Sequence, residues 1–467
     1  METKRGQWGS TFGFLMAAVG SAVGLGNIWG FPYKMGANGG FAFLILYLIL
    51  AVFVGFVAMV AELALGRKTG KGVIATYQTL SKKFSWIGWM GALSPFLIMT
   101  FYSVLGAYCM KYAVVNLGDL LGAGFGSVGL SGADVFGNMI TNQVEAIIYT
   151  AVFMVLTCVI VMGGIKGGIE KFTSFAMPAL FVMLCVVIVR SVTLPGAIEG
   201  IKFMFAPNFT PFKENFMGVL ATAGGQMFFS LSLGMGAMIT YGSYLSKDEN
   251  IEKNALLVVV SDTIVALMAG LAVLPAAFAL GGEGAAMSGP KLLFVTLQDV
   301  FGAMGAIGPL FGLIFYILVF IAAITSSISL VEVITAHFMD QASKKGENGS
   351  RTKYTVIACV AIMVLAAIVA ADGLGSNGLP QPLGFCWLDF MDLWSEGIMM
   401  PLGVMLMALC VGYEIKVSSV EKEIAQNGNQ FTTKSFFTFC IKYVVPLAMV
   451  LILAGQIDTF FALGLFS

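Results

Sequence analysis

Two carboxylates, a run of hydroxyls and a set of misplaced glycines hold most of the chemistry available to this chain. Asp262 and Glu62 each sit in a long apolar stretch. Inserting a carboxylate there costs about 2.5–3.5 kcal/mol, so neither is expected to be idle. Plainer readings stay open: a helix-end carboxylate near the inner surface for Asp262, and an interfacial glutamate a turn before Arg67 for Glu62. Thr325-Ser326-Ser327 places three hydroxyls in another apolar run, and read alone they bond back to their own helix. Gly20, Gly24 and Gly26 interrupt the first apolar run, and Ser230-Leu231-Ser232-Leu233-Gly234-Met235-Gly236 interrupts a later one. Each glycine costs roughly 1 kcal/mol relative to alanine inside a helix. No water reaches backbone groups freed by such a break in hydrocarbon, so unwound chain at that depth lines a cavity or lies buried in protein. Half-helix N-termini there offer N–H groups to an anion, and unwound carbonyls offer oxygen to a cation. The alternative for Gly20 and Gly24 is a small-xxx-small contact face between helices.

Bond-making chemistry has little to work with. His337 is the only histidine, and the seven cysteines (Cys109, Cys158, Cys185, Cys359, Cys386, Cys410 and Cys440) are scattered singly. They show no metal or redox spacing and read as soft packing residues. No nucleophile–base pair, metal set or phosphate-binding loop is present, so neither an enzyme nor ATP-driven transport is expected. An ion channel predicts a continuous polar lining, whereas the polar residues here gather at one level. Paired interruptions of apolar spans instead mark the binding site of a secondary transporter.

The elements that position these groups are membrane spans. The chain of 467 residues is 58% hydrophobic and 11% charged, with a mean hydropathy of +0.91, beyond what a soluble domain reaches. Apolar runs long enough for a bilayer, about 20 residues each, lie at about 10–35, 41–66, 86–116, 143–163, 168–190, 216–244, 254–281, 307–338, 354–371, 387–413 and 436–462. The expected fold is therefore an all-α membrane protein of about eleven transmembrane helices in one domain. The interrupted spans are the first and the sixth. Two groups of five, near 8–190 and 216–413, must run in opposite senses because five is odd, which predicts an inverted repeat with an extra span after it. Met1–Trp8 lacks an apolar core and a cleavage site, so no signal peptide is expected. With a cytoplasmic N-terminus, 19 of the 25 Lys and Arg fall on the inner side, which predicts that orientation and a C-terminus outside. The longest loops, about 117–142 and 191–215, then lie outside. A net charge of zero says little about partners, and no nucleic-acid partner is expected.

The pattern of motifs resembles the neurotransmitter:sodium symporters from Arg5 to about Trp394. It comprises Trp8-Gly9-Ser10, the run from Gly20 through Asn27 to Trp29-Gly30-Phe31-Pro32-Tyr33, and Asn38-Gly39-Gly40. It continues in Gly225-Gln226-Met227-Phe228-Phe229-Ser230, Thr240-Tyr241-Gly242-Ser243-Tyr244, Thr325-Ser326-Ser327 and Leu388-Asp389-Phe390-Met391-Asp392-Leu393-Trp394. Members of this family are themselves broken-helix transporters, so the resemblance implies the same architecture. It also implies two sodium sites. The first uses the Ala22 carbonyl, Asn27, Ser230 and a group on span 7, where Ser261-Asp262 replaces a common asparagine. The second uses the Gly20, Val23 and Ala322 carbonyls with Thr325 and Ser326. Where some members need chloride, Asp262 supplies the negative charge, with Glu62 as a neighbouring carboxylate, so no chloride requirement is expected.

The same resemblance implies a substrate pocket at Ala22, Gly24, Leu25, Gly26, Ile98, Tyr102, Phe228, Phe229, Ser230, Ser232, Met235, Ser326 and Leu330. Glycine at 24 leaves room for an amino-acid carboxylate, met by the Leu25 and Gly26 N–H groups, the first sodium and Tyr102. The neutral lining disfavours charged side chains. Met235 stands where the leucine-transporting relative has phenylalanine, and its flexibility admits larger ligands. Arg5, Trp8, Tyr244 and Asp340 match the inner latch. Asp392 matches the outer gate, but Gly30 replaces its arginine partner, leaving Lys34 one turn later. The implied function is sodium-coupled symport of neutral hydrophobic or aromatic L-amino acids across the cytoplasmic membrane by alternating access. A proton-coupled or uncoupled carrier of the same fold is the runner-up.

Overall fold

The computed structural model describes residues 6–127, 129–286, 291–347 and 349–465, with backbone alone at 280 and 282–286. The described residues form helices and connections. Nine helices among them are long and apolar enough to cross a membrane: Phe41–Thr69, Ile87–Leu121, Gln143–Met162, Ile165–Val192, Ile251–Ala279, Gly305–Lys344, Arg351–Asp372, Trp387–Glu414 and Lys434–Phe461. A tenth span is a pair, Thr11–Ala22 and Gly26–Ala37, bent by 46° at its break. The remaining expected span is split into Thr210–Ser230 and Ala237–Gly242. Its second piece is only six residues, so a count of continuous helices passes over it. In chain order these segments are spans 1 to 11.

Both breaks fall at the expected glycines. Val23 is extended, with φ −75° and ψ 98°, and the helix resumes at Gly26. In span 6 the chain turns through positive φ at Ser232 (53°), Gly234 (79°) and Gly236 (72°). A serine in that region is uncommon, and the bond from its hydroxyl to the Ser21 carbonyl at 2.8 Å helps fix it.

Span 3 packs along span 8, and span 8 in turn lies against the first half of span 1. Span 8 is buried without interruption from Ala322 to Ala336, as befits a helix enclosed by others. Span 4 instead turns Val152, Val155 and Val159 outward, as a lipid-facing helix would. The two long loops expected on the outer side contain helices. Span 3 runs on to Leu121, and Gly132–Thr141 and Ala197–Phe205 follow in the two connections. The connections expected on the inner side contain Val73–Leu80 and Val417–Ile424.

Candidate substrate and ion site

The last turn of the first half of span 1 and the break that follows it turn carbonyls toward span 8. The Ser326 hydroxyl lies 3.3 Å from the Gly20 oxygen, 3.1 Å from that of Ser21 and 3.5 Å from that of Val23. Next to it, the Thr325 hydroxyl donates to Ala322 at 3.0 Å and Ile321 at 3.1 Å. Thr325 thus does bond back to its own helix, while Ser326 reaches across to span 1. The five groups expected at the second sodium site therefore meet, and all of them present oxygen. Gly20 is part of this fit, because a Cβ there would sit 3.3 Å from that of Thr325.

The other expected ion cluster closes around Asp262, which is fully buried. Its carboxylate accepts from Asn27 Nδ2 at 2.7 Å and from the Ser230 hydroxyl at 2.9 and 3.0 Å. It also accepts from the Tyr47 hydroxyl at 3.1 Å. Tyr47 was not among the expected residues, since one tyrosine in an apolar run gives no signal of its own. Asn27 Oδ1 faces the other way and accepts from Gly24 N at 3.1 Å. Glu62 is buried beneath the break of span 6 and accepts from Gly234 N at 2.7 Å. It is no neighbour of Asp262, however. Tyr47 reaches Asp262 from fifteen residues earlier on the same span, which is about 22 Å at 1.5 Å per residue. Of the two carboxylates, only Asp262 belongs to this cluster.

Between the two clusters lies a cavity with about 10 Å³ of water-accessible space. Ala22, Gly24, Gly26, Ile98, Tyr102, Phe229, Ser232, Met235, Ser326 and Leu330 line it, as expected from the sequence, together with Ser21. No charged side chain is among them. Gly24 is closely hemmed in: a Cβ would stand 2.3 Å from the Ser326 hydroxyl and 2.5 Å from that of Tyr102, so a larger residue has to displace them. The Leu25 N–H donates to the Tyr102 hydroxyl at 3.0 Å, so the backbone and side-chain donors expected for a carboxylate adjoin. Leu25 itself lines a second cavity of about 260 Å³ directly outside, and Ser230 turns to Asp262. Phe228 corrects the expectation. It is fully buried but does not line the cavity, because one residue of helix rotates it about 100° from Phe229.

The expected gate residues acquire partners that the sequence did not suggest. At the end expected to face inward, the Trp8 indole donates to the Tyr241 carbonyl at 3.1 Å. The Tyr244 hydroxyl donates to Glu332 at 2.6 Å, and Glu332 also pairs with Arg351. Asp340 accepts from Gly72 N at 2.7 Å. Arg5 lies outside the described residues. Glu332, a fully buried carboxylate, was missed, although a charge inside an apolar span is the signal that marked Asp262. At the opposite end, expected to face outward, Lys34 pairs at 2.7 Å with Glu396, one turn beyond Asp392. Asp392 Oδ1 is buried without a partner, and so is Gln226 Oε1, which lies 2.8 Å from where a Gly30 Cβ would stand.

The comparisons with known proteins agree with this architecture. The model of the Sodium:neurotransmitter symporter family matches residues 5–123 and 130–466. The chain is 36% identical over 464 residues to YhdH of Bacillus subtilis (strain 168), an uncharacterized sodium-dependent transporter, with 98% of each covered. It is 33% identical over 466 residues to another such transporter of Haemophilus influenzae, covering 97% of this chain and 98% of that one. Among solved structures, MhsT in complex with L-phenylalanine matches with a TM-score of 0.87 and 35% identity, over 97% of this chain and 100% of that one. The chain belongs to the sodium:neurotransmitter symporter family and is a multi-pass, sodium-coupled membrane transporter.

Proposed function

We propose that the chain carries neutral, hydrophobic to aromatic L-amino acids into the cell with two sodium ions, by alternating access across the cytoplasmic membrane. The seat at Gly24 carries this reading. A carboxylate lodged there meets the Leu25 and Gly26 N–H groups and the Tyr102 hydroxyl, with the Asn27–Ser230–Asp262 cluster beside it. The rest of the lining is neutral, so a charged side chain would lose its hydration without a partner. The L-phenylalanine held by MhsT supports an aromatic or aliphatic ligand of this size. The two oxygen clusters suit a hard cation, and the inner-side excess of Lys and Arg supports a cytoplasmic N-terminus.

Thermal-shift or scintillation binding of the twenty amino acids to purified protein, in sodium and in potassium, tests the proposal. Sodium-dependent binding confined to hydrophobic and aromatic amino acids is expected. Binding that is as tight in potassium, or that selects lysine or glutamate, would overturn it.

A further inference from the structure

Span 1 enters from the inner side through a segment whose donors are answered by other elements. The Gly9 N–H donates to Glu170 Oε2 at 2.6 Å and the Ser10 hydroxyl to Glu170 Oε1 at 3.0 Å. Ser10 caps the helix, its oxygen accepting from Gly13 N at 2.9 Å. The Thr11 hydroxyl donates to Glu249 Oε1 at 2.5 Å. Glu170 stands at the start of the span 5 helix Lys171–Val192, and Glu249 lies in the connection between spans 6 and 7. A carboxylate against the first turn of a helix meets N–H groups that have no partner within the helix and the positive end of its dipole.

The space around Glu170 is a second, independent observation. A Cβ on Gly13 would lie 2.0 Å from Glu170 Oε1, and one on Gly9 would lie 3.0 Å from it and 2.9 Å from Lys166 Cε. Gly13 is helical, so no backbone strain calls for glycine there, and glycine weakens a helix relative to alanine. Two glycines four residues apart form a seat that the carboxylate fills. The other end of the same helix brings Gly20 and Ala22 to the site, about 16 Å away at 1.5 Å per residue.

We infer that Glu170 is a positioning residue of the transport cycle, a clip that holds the inner half of span 1 closed until the site is ready to open inward. The clip is separate from Arg5, Tyr244 and Asp340, and it rests on the alternating-access reading above. The contact is short and local, so releasing Glu170 loosens the start of span 1 without unfolding its neighbours, while Thr11 stays on Glu249 and Trp8 on Tyr241. With the clip gone, the inward-open population rises. Sodium then has to pull the ensemble back before substrate binds.

Hydrogen exchange at residues 9–14 of the full-length protein in lipid nanodiscs tests the contact. Sodium titration of substrate binding tests its role. In potassium, Glu170→Gln and Gly13→Ala are each expected to exchange about five-fold faster than the unmodified protein, with Glu170→Asp in between. Both variants should need about five-fold more sodium for half-maximal binding, with unchanged substrate affinity at saturating sodium. A contact that is only structural would speed exchange and leave the sodium midpoint where it is. That outcome, or unchanged exchange in both variants, overturns the clip. Gly13→Ala leaves the carboxylate intact, so a folding defect in Glu170→Gln does not decide the matter. Substrate binding that ignores sodium in the unmodified protein would overturn the symport reading instead, and exchange alone would then judge the clip.

Discussion

Asp262 is a carboxylate surrounded by donors: an amide from Asn27 and hydroxyls from Ser230 and Tyr47. Such a shell holds one negative charge, whether the chain supplies it or the solution does. Replacing chloride by gluconate should therefore leave transport by the unmodified protein intact. Asp262→Ser vacates the shell while keeping its three donors, and uptake by that variant should rise with chloride. A chloride requirement in the unmodified protein would sink the assignment. At Met235 the argument is one of shape. Its side chain lines the cavity with Phe229 and Leu330, and its three rotatable bonds let it withdraw from a ring or fold onto a smaller chain. Phenylalanine is stiffer and fills the same space permanently. Met235→Phe should weaken tryptophan or tyrosine binding far more than leucine binding. An overpacking clash costs about 1–3 kcal/mol, or roughly ten- to two-hundred-fold in affinity. Competition against labelled leucine measures the difference, and equal losses for large and small ligands would remove Met235 from side-chain recognition.

At the scale of elements, an ion pair joins the second half of span 1 to span 10 at the end where the outer gate is expected. Lys34 and Glu396 are both mostly buried where they pair, above a cavity that also holds Asp389 and Asp392. Removing either partner strands the other charge, so Lys34→Ala and Glu396→Gln should each speed dissociation of bound substrate by about ten-fold or more. The exchanged pair Lys34→Glu with Glu396→Lys should recover part of that loss. Dissociation rates unchanged in both single variants would leave closure to other contacts. This pairing also marks where the sequence stopped being readable. The breaks of spans 1 and 6 were legible because glycine and serine in apolar runs have few other uses. The partner of Lys34 was not, because Asp392 and Glu396 lie on one face a turn apart. Moreover, Leu393–Met399 winds as a π-helix, and such wider turns shift register with no fixed sequence signature. Tyr47 and Phe228 were misjudged for a related reason. An aromatic residue in an apolar span looks the same whether it faces a site or the packing behind it.

At the scale of the whole molecule, the ion clusters and the substrate seat share backbone. Gly20, Ala22 and Val23 precede the break of span 1, and Asn27 follows it. Ser326 touches both the carbonyls of span 1 and the cavity. On the proposed reading, an ion that orders this stretch prepares the seat at Gly24, and a substrate in the seat orders the ion sites in return. Linkage requires the two effects to be equal: the factor by which saturating sodium tightens substrate binding is the factor by which substrate tightens sodium binding. Ser230→Ala and Thr325→Ala remove oxygen from one cluster or the other without altering the cavity lining, and Asn27→Ala does so while also releasing the Gly24 N–H at the seat. Each should shift the sodium midpoint of substrate binding upward, by about ten-fold if one charge-assisted contact is lost, while the protein remains extractable and folded. At saturating sodium Ser230→Ala and Thr325→Ala should approach the unmodified substrate affinity, since the seat itself is whole, whereas Asn27→Ala should keep a deficit. Radioligand binding across a sodium titration, with sodium binding followed in parallel by calorimetry, reads both sides of the linkage. Normal substrate binding by all three variants at low sodium would mean that the ions bind elsewhere, and that the unwound backbone serves the substrate alone.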